Sequence, residues 1–296
     1  MSLRPVVAAT TFALILSALV PTAAATAVDN ATSVTAGTSA KPKAPKVTIK
    51  NLASSSEVGR KVKVTGTAKP GRSGKVKVKV QRRYGAGAWS TVATKTTNKK
   101  GRYAVRVPLA QGGPTSFRVK RAGGGKSKIE TLAVYEWLYL ADQPFLLGLG
   151  GGSTRITSVM GGRSFPESIE LWTNNLVGLW SVAGCTTVDF WAGFTDRGRD
   201  QLDPADHVEL RFGPLTATGG EGTITEENIP IGPGVHHTVP VTSETRYFGF
   251  ALSADTETSE PSADAVIGTP RARCNASALP SVRFEETPLF GARAVR

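Results

Sequence analysis

Apolar and polar residues alternate along most of this chain. In Lys61-Val62-Lys63-Val64-Thr65 the valines occupy every second position. The same period recurs in Lys75-Val76-Lys77-Val78-Lys79-Val80, Arg102-Tyr103-Ala104-Val105-Arg106-Val107 and Phe117-Arg118-Val119-Lys120. A period of two gives each strand one dry face and one wet face. Lys69-Pro70-Gly71, Tyr84-Gly85-Ala86-Gly87, Asn98-Lys99-Lys100-Gly101 and Gln111-Gly112-Gly113-Pro114 separate these runs with turn chemistry. The pattern predicts about seven strands over residues 46–135, a small β-sandwich.

The second half alternates in Ser168-Ile169-Glu170-Leu171-Trp172, Val188-Asp189-Phe190-Trp191-Ala192-Gly193-Phe194, His207-Val208-Glu209-Leu210-Arg211-Phe212 and Tyr247-Phe248-Gly249-Phe250-Ala251-Leu252. Thr223-Ile224-Thr225 and Val239-Pro240-Val241 add shorter candidates. About eight strands over residues 136–296 predict a larger sandwich or jelly roll. The 32 glycines and 18 prolines suit many short strands and turns, so the fold class expected is all-β.

The N-terminal residues follow another pattern. Arg4 precedes an apolar run from Val6 to Val20, and Ala23-Ala24-Ala25 or Ala25-Thr26-Ala27 offers a small-residue cleavage site. This predicts a signal peptide over residues 1–27 and a secreted protein, with no transmembrane segment after cleavage. Residues 28–45, rich in Ala, Thr, Ser, Lys and Pro, read as a disordered linker. The sole cysteines, Cys185 and Cys274, then form the natural disulfide of an exported chain. Two buried free thiols are the alternative. The closed loop would stabilise by about 4 kcal/mol in the chain-entropy model.

Charge divides the chain. From Lys41 to Tyr135 there are 24 lysines and arginines against Glu57 and Glu130 alone, a net +22. From Glu136 to Arg296 there are 11 arginines, no lysine and 20 acids, a net −9. The reversal places a boundary near residue 135 and implies that the halves meet different partners. Lys61, Lys63, Lys75, Lys77, Lys79, Arg102, Arg106, Arg118 and Lys120 alternate with core positions and should face water. Such a field suits an anionic envelope polymer, and DNA only without sequence reading. Solubility and protection of strand edges are the plainer account.

Two resemblances emerge. Val64-Thr65-Gly66-Thr67-Ala68, Val78-Lys79-Val80-Gln81-Arg82-Arg83, Gly87-Ala88-Trp89, Gly101-Arg102-Tyr103 and Phe117-Arg118-Val119 together resemble the bacterial immunoglobulin-like modules of secreted actinobacterial proteins. That likeness implies a spacer or adhesive unit over residues 46–135. The segments Arg163 to Ile169, Cys185 to Asp196, Val208 to Phe212 and Gly268 to Cys274 are similar to the NPCBM type of carbohydrate-binding module. That likeness implies a galactose-binding-like jelly roll over residues 136–296 and an extracellular or cell-wall glycan as ligand. Gly213-Pro214-Leu215 stands where the family has an Asp-Gly hairpin after this strand, a departure from the family pattern.

Chemistry is sparse by comparison. A hydrolytic triad needs a nucleophile beside a histidine and an acid. The only histidines are His207, His236 and His237, and no Gly-x-Ser-x-Gly elbow occurs. His236 and His237 are neighbours, which on a strand point to opposite faces. Asp200, Asp203 and Asp206 are the one set that suggests Ca²⁺, with a solvated acidic turn as the plainer reading. Trp172, Trp191 and Tyr247 fall opposite apolar positions, where an aromatic ring can stack on a sugar, and Trp180 in Gly178-Leu179-Trp180 is a weaker candidate of the same kind. The expectation is a non-catalytic envelope-binding protein without a cofactor. A purely structural or adhesive spacer is the alternative, and an unrecognised hydrolase the third reading.

Overall fold

The computed structural model describes residues 46–69, 74–147, 152–171, 176–197, 199, 202–216, 223–255 and 264–281. The expected signal peptide and linker lie outside them. Residues Ala44–Arg296 cluster as one compact unit.

The described residues fold as strands joined by turns, with no α-helix among them, as the alternation predicts. The basic half supplies β1 (Val47–Lys50), β2 (Ser55–Glu57), β3 (Lys61–Ala68), β4 (Lys77–Tyr84), β5 (Ser90–Thr96), β6 (Arg102–Pro108) and β7 (Gly113–Arg121). β8 (Glu130–Tyr139) runs straight through residue 135, where the charge reverses. Then follow β9 (Leu146–Leu147), β10 (Gly152–Met160), β11 (Arg163–Leu171), β12 (Leu176–Ser181) and β13 (Cys185–Phe194). The last five are β14 (His207–Thr216), β15 (Thr225–Pro230), β16 (Val235–Pro240), β17 (Thr245–Asp255) and β18 (Ala265–Cys274). Among the described residues no helix is long and apolar enough to cross a membrane.

Three sheets pack as sandwiches. One has the order β1-β3-β6, and another has the order β15-β14-β17-β12-β9. The third runs β10-β11-β18-β8-β7-β4-β5, with β2 added at β8, β13 at β18 and β16 at β13. This long sheet serves both halves of the chain.

Two large hydrophobic cores result among the described residues, beside two small clusters around Met160–Phe165 and Leu179–Tyr247. Val62, Val64, Val78, Val80, Phe117 and Val119 fill the first, as the period of two requires. Phe190, Phe194, Leu210, Phe248 and Phe250 lead the second, in edge-to-face contacts such as Phe190–Phe250 at 4.7 Å. β8 feeds both from one face. Leu132 and Val134 belong to the first core, while Leu138 and the following Leu140 belong to the second. Glu136 lies at the crossing, where its Oε2 accepts the Gly112 N–H at 2.9 Å.

The crossing is held from several sides. Glu57 of β2 pairs with Arg273 of β18, whose Nε donates to Glu57 Oε1 at 2.9 Å and whose Nη2 donates to the same oxygen. Cys185 and Cys274 form a buried disulfide between facing positions of β13 and β18, and Cys274 also faces Glu136 of β8. The free-thiol alternative therefore falls away.

Gly112 matters by close approach. A Cβ there would stand 2.2 Å from the Ala276 carbonyl oxygen and 2.9 Å from Glu136 Oε2. Gly112→Ala should therefore strain the crossing and cost about 1–3 kcal/mol. Urea unfolding checks this: the midpoint should fall at unchanged slope, and an unmoved midpoint would mean the contact relaxes freely.

Candidate ligand-binding face

β13 builds the site because its two faces differ. Val188, Phe190, Ala192 and Phe194 are buried in the core or against it. Asp189 and Trp191 leave on the opposite side, as the alternation predicts. Strand register then sets their neighbours. Asp189 faces Thr238 of β16 and Arg271 of β18, while Trp191 faces His236 of β16. On the far side of β18, Arg271 faces Tyr139 and Arg273 faces Trp137, both of β8. One row of outward side chains thus crosses β16-β13-β18-β8.

Asp189 joins that row together. Its Oδ1 accepts the Arg271 Nε–H at 3.0 Å. Its Oδ2 accepts the Thr238 hydroxyl at 3.1 Å and lies 2.9 Å from His236 Nε2. The His236 ring stacks on Trp191 with centroids 4.8 Å apart. The Arg163 guanidinium stands 4.4 Å from the centre of the same indole. Each such cation–π contact adds attraction and fixes the ring.

The arginines lean diagonally over β8. Arg271 lies 4.7 Å from the centre of Trp137, and Arg273 lies 4.1 Å from that of Tyr135. Each aromatic stands two residues from the arginine's direct register mate, within reach of a long side chain. Trp137 and Tyr139 remain 38% and 37% exposed, the main uncovered aromatic surface of the row.

Arg163 is positioned by the turn between β10 and β11. Gly161 and Gly162 both take positive φ there. Asp196 accepts both amides, Gly161 N–H on Oδ1 and Gly162 N–H on Oδ2, each at 2.7 Å. The Gly162 bond, with help from Gly161 and Arg199, holds the Asp196 carboxyl below the usual carboxylate range against the opposing effect of burial.

The residues singled out in the sequence scatter. Trp191 lies on the face just described. Trp180 is 1% exposed and donates its indole N–H to the Leu140 carbonyl at 2.8 Å, so it is a core residue. Tyr247 is 5% exposed and packs with Leu179, Leu215 and Ile224. The outer face of the β14-β17-β12 layer is covered locally at Tyr247, which is why alternation there leaves no ring to solvent. Trp172 and Asp200 lie outside the described residues. Asp203 and Asp206 tie a turn together: Asp206 Oδ2 accepts the Asp203 N–H at 2.8 Å. No group of three metal-ligating side chains converges among the described residues.

The nine basic residues do not share one surface. Lys61, Lys63, Arg102 and Arg106 lie on the outer face of β3 and β6, with Lys63 directly opposite Arg106. Lys77, Lys79, Arg118 and Lys120 lie on the outer face of β4 and β7, with Lys79 opposite Lys120. Lys75 precedes β4. Arg118 is the most engaged: it donates to Gln81 at 2.9 Å and stands 4.2 Å from the Trp89 ring centre.

Sequence reasoning passed over Trp137, Tyr139 and Arg271. A signal was present in Tyr135-Glu136-Trp137-Leu138-Tyr139, three aromatics at a spacing of two. It fell where the charge reverses, in a segment read as a boundary. Compared with known proteins, the chain matches no family model and no curated sequence.

His236 and His237 point to opposite sides, as adjacent strand residues must. His237 stacks on Phe190 at 4.9 Å, and its Nε2 lies 3.6 Å from Glu227, too far for a hydrogen bond. Burial lowers its pKa, outweighing the pull of Glu227. The folded chain therefore resists a proton that the unfolded chain accepts. Acidification below about pH 6.5 destabilises the fold through this group, and above that pH it contributes no pH dependence. His237→Phe keeps the ring stacking and removes the titration. Between about pH 7.5 and pH 5.5 the wild-type melting temperature should fall further than that of the variant. Parallel curves would contradict this role.

Proposed function

We propose that this is a secreted, non-catalytic protein of the cell envelope that binds a glycan on the outer face of β16-β13-β18-β8. The basic half contacts an anionic envelope polymer. The observation that carries the first part is the exposed pair Trp137 and Tyr139 beside the Asp189-centred row. A flat ring stacks on the apolar face of a sugar, while fixed polar groups beside it hydrogen-bond hydroxyls. Here Arg271, Asp189, His236 and Thr238 are already held by one another, so little order is lost on binding.

A binding role suits the chemistry of this row better than catalysis. Asp189 and His236 form an acid–base pair, but no hydroxyl or thiol nucleophile is bonded to His236 among the described residues. Export is supported by the N-terminal pattern and by the Cys185–Cys274 disulfide, which suits an oxidising compartment. The likeness to NPCBM modules points to the same ligand class.

Glycan-array binding by the full chain, followed by titration of the best ligand, tests the reading. Trp137→Ala and Tyr139→Ala should each weaken binding about tenfold, near 1.4 kcal/mol. Both side chains are partly exposed, so melting temperatures should change little. No array ligand, or affinity indifferent to both substitutions, would contradict the proposal.

A further inference from the structure

The first sandwich carries an open cleft of about 880 Å³. Its lining includes Lys50, Lys63, Lys75, Lys95, Lys99 and Arg102, and no acidic residue. Lys50 ends β1, Lys63 lies on β3, Arg102 begins β6, Lys95 lies near the end of β5, and Lys75 and Lys99 flank the strands. All six are exposed. Lys50, Lys63, Lys95, Lys99 and Arg102 make no ion pair among the described residues. The walls beneath them are pinned. Thr65 donates its hydroxyl to the Lys50 carbonyl at 2.8 Å, and Asn98 accepts the Arg102 N–H at 2.9 Å.

Self-repulsion opposes gathering six cations around one concavity, and a concave site of one sign focuses its field on an anion. The composition narrows which anion. Five of the six are lysines, mobile point charges that suit phosphate, whereas paired carboxylates favour the planar fork of arginine. The cleft offers no aromatic platform. Tyr103 lies at its base, buried, with its hydroxyl donated to the Thr48 carbonyl at 2.7 Å. A single-stranded nucleic acid would need exposed rings on which to stack its bases.

We infer that this cleft is the binding site for a linear, base-free polymer of repeating phosphates. The inference deepens the reading of the basic half as the contact to an anionic envelope polymer, and rests on it. It does not depend on the glycan face.

Linear inorganic polyphosphate is the probe, titrated into the full chain at several salt concentrations. The triple substitution Lys63→Gln, Lys95→Gln, Arg102→Gln removes three charges from the cleft. Lys77→Gln, Lys79→Gln, Lys120→Gln removes three from the outer face of β4 and β7. Every changed residue is exposed, and unaltered melting temperatures establish that both variants fold. The cleft variant should lose at least about tenfold in affinity, and its slope of log affinity against log salt should shrink by about 2. The control should keep its slope. Equal losses in both variants would overturn the cleft while leaving a diffuse polycationic contact standing. No polyphosphate binding by the wild type would overturn both. Tighter binding of hyaluronate, or of single-stranded DNA, than of polyphosphate would overturn the ligand class.

Discussion

One strand, β8, carries two hydrophobic cores on a single face. Leu132 and Val134 anchor it in the first core and Leu138 in the second, with Glu136 between them. Strand geometry makes this possible, because residues two apart share a face over any length. Neither half can then turn relative to the other without drawing apolar side chains into water, at about 25 cal/mol per Å² exposed. The Glu57–Arg273 pair, the Gly112 approach and the Cys185–Cys274 bond all gather at this crossing. Their separate contributions are modest, but together they oppose the same motion.

The opposite face of the same strand supplies the candidate site. Tyr135, Trp137 and Tyr139 alternate with the core residues and receive Arg273 and Arg271 from β18. Core and candidate face are therefore two aspects of one alternation. Asp189 then extends the row across β13 to His236 on β16. The site lies on regular strands, whose backbone hydrogen bonds hold side chains more firmly than loops do. Charge is separated in the same manner: the cationic cleft stands in the first sandwich, and the mixed aromatic row stands on the second.

Much of this was legible in the sequence. Val62, Val64, Val78, Val80 and Phe117 declared their burial by period alone, and Phe190 and Phe194 did so with Trp191 facing away. The disulfide followed from cysteine count and the export pattern. Other features depended on tertiary pairing that period cannot show. Trp180 was a weaker candidate of the same kind as Trp191, yet it packs in the second core and the Leu140 carbonyl takes its N–H. The nine basic residues read as one positive module, but register distributes eight of them over two outer faces. Trp137 and Tyr139 were visible as a spacing, and what placed them in the candidate row was the arrival of Arg271 and Asp189 from fifty or more residues away.

The shared strand makes a direct thermodynamic claim. Calorimetric unfolding of the full, oxidised chain tests it. If β8 couples the two cores, heat should produce one transition whose calorimetric and van't Hoff enthalpies agree. Two resolved transitions, one for each core, would contradict the account.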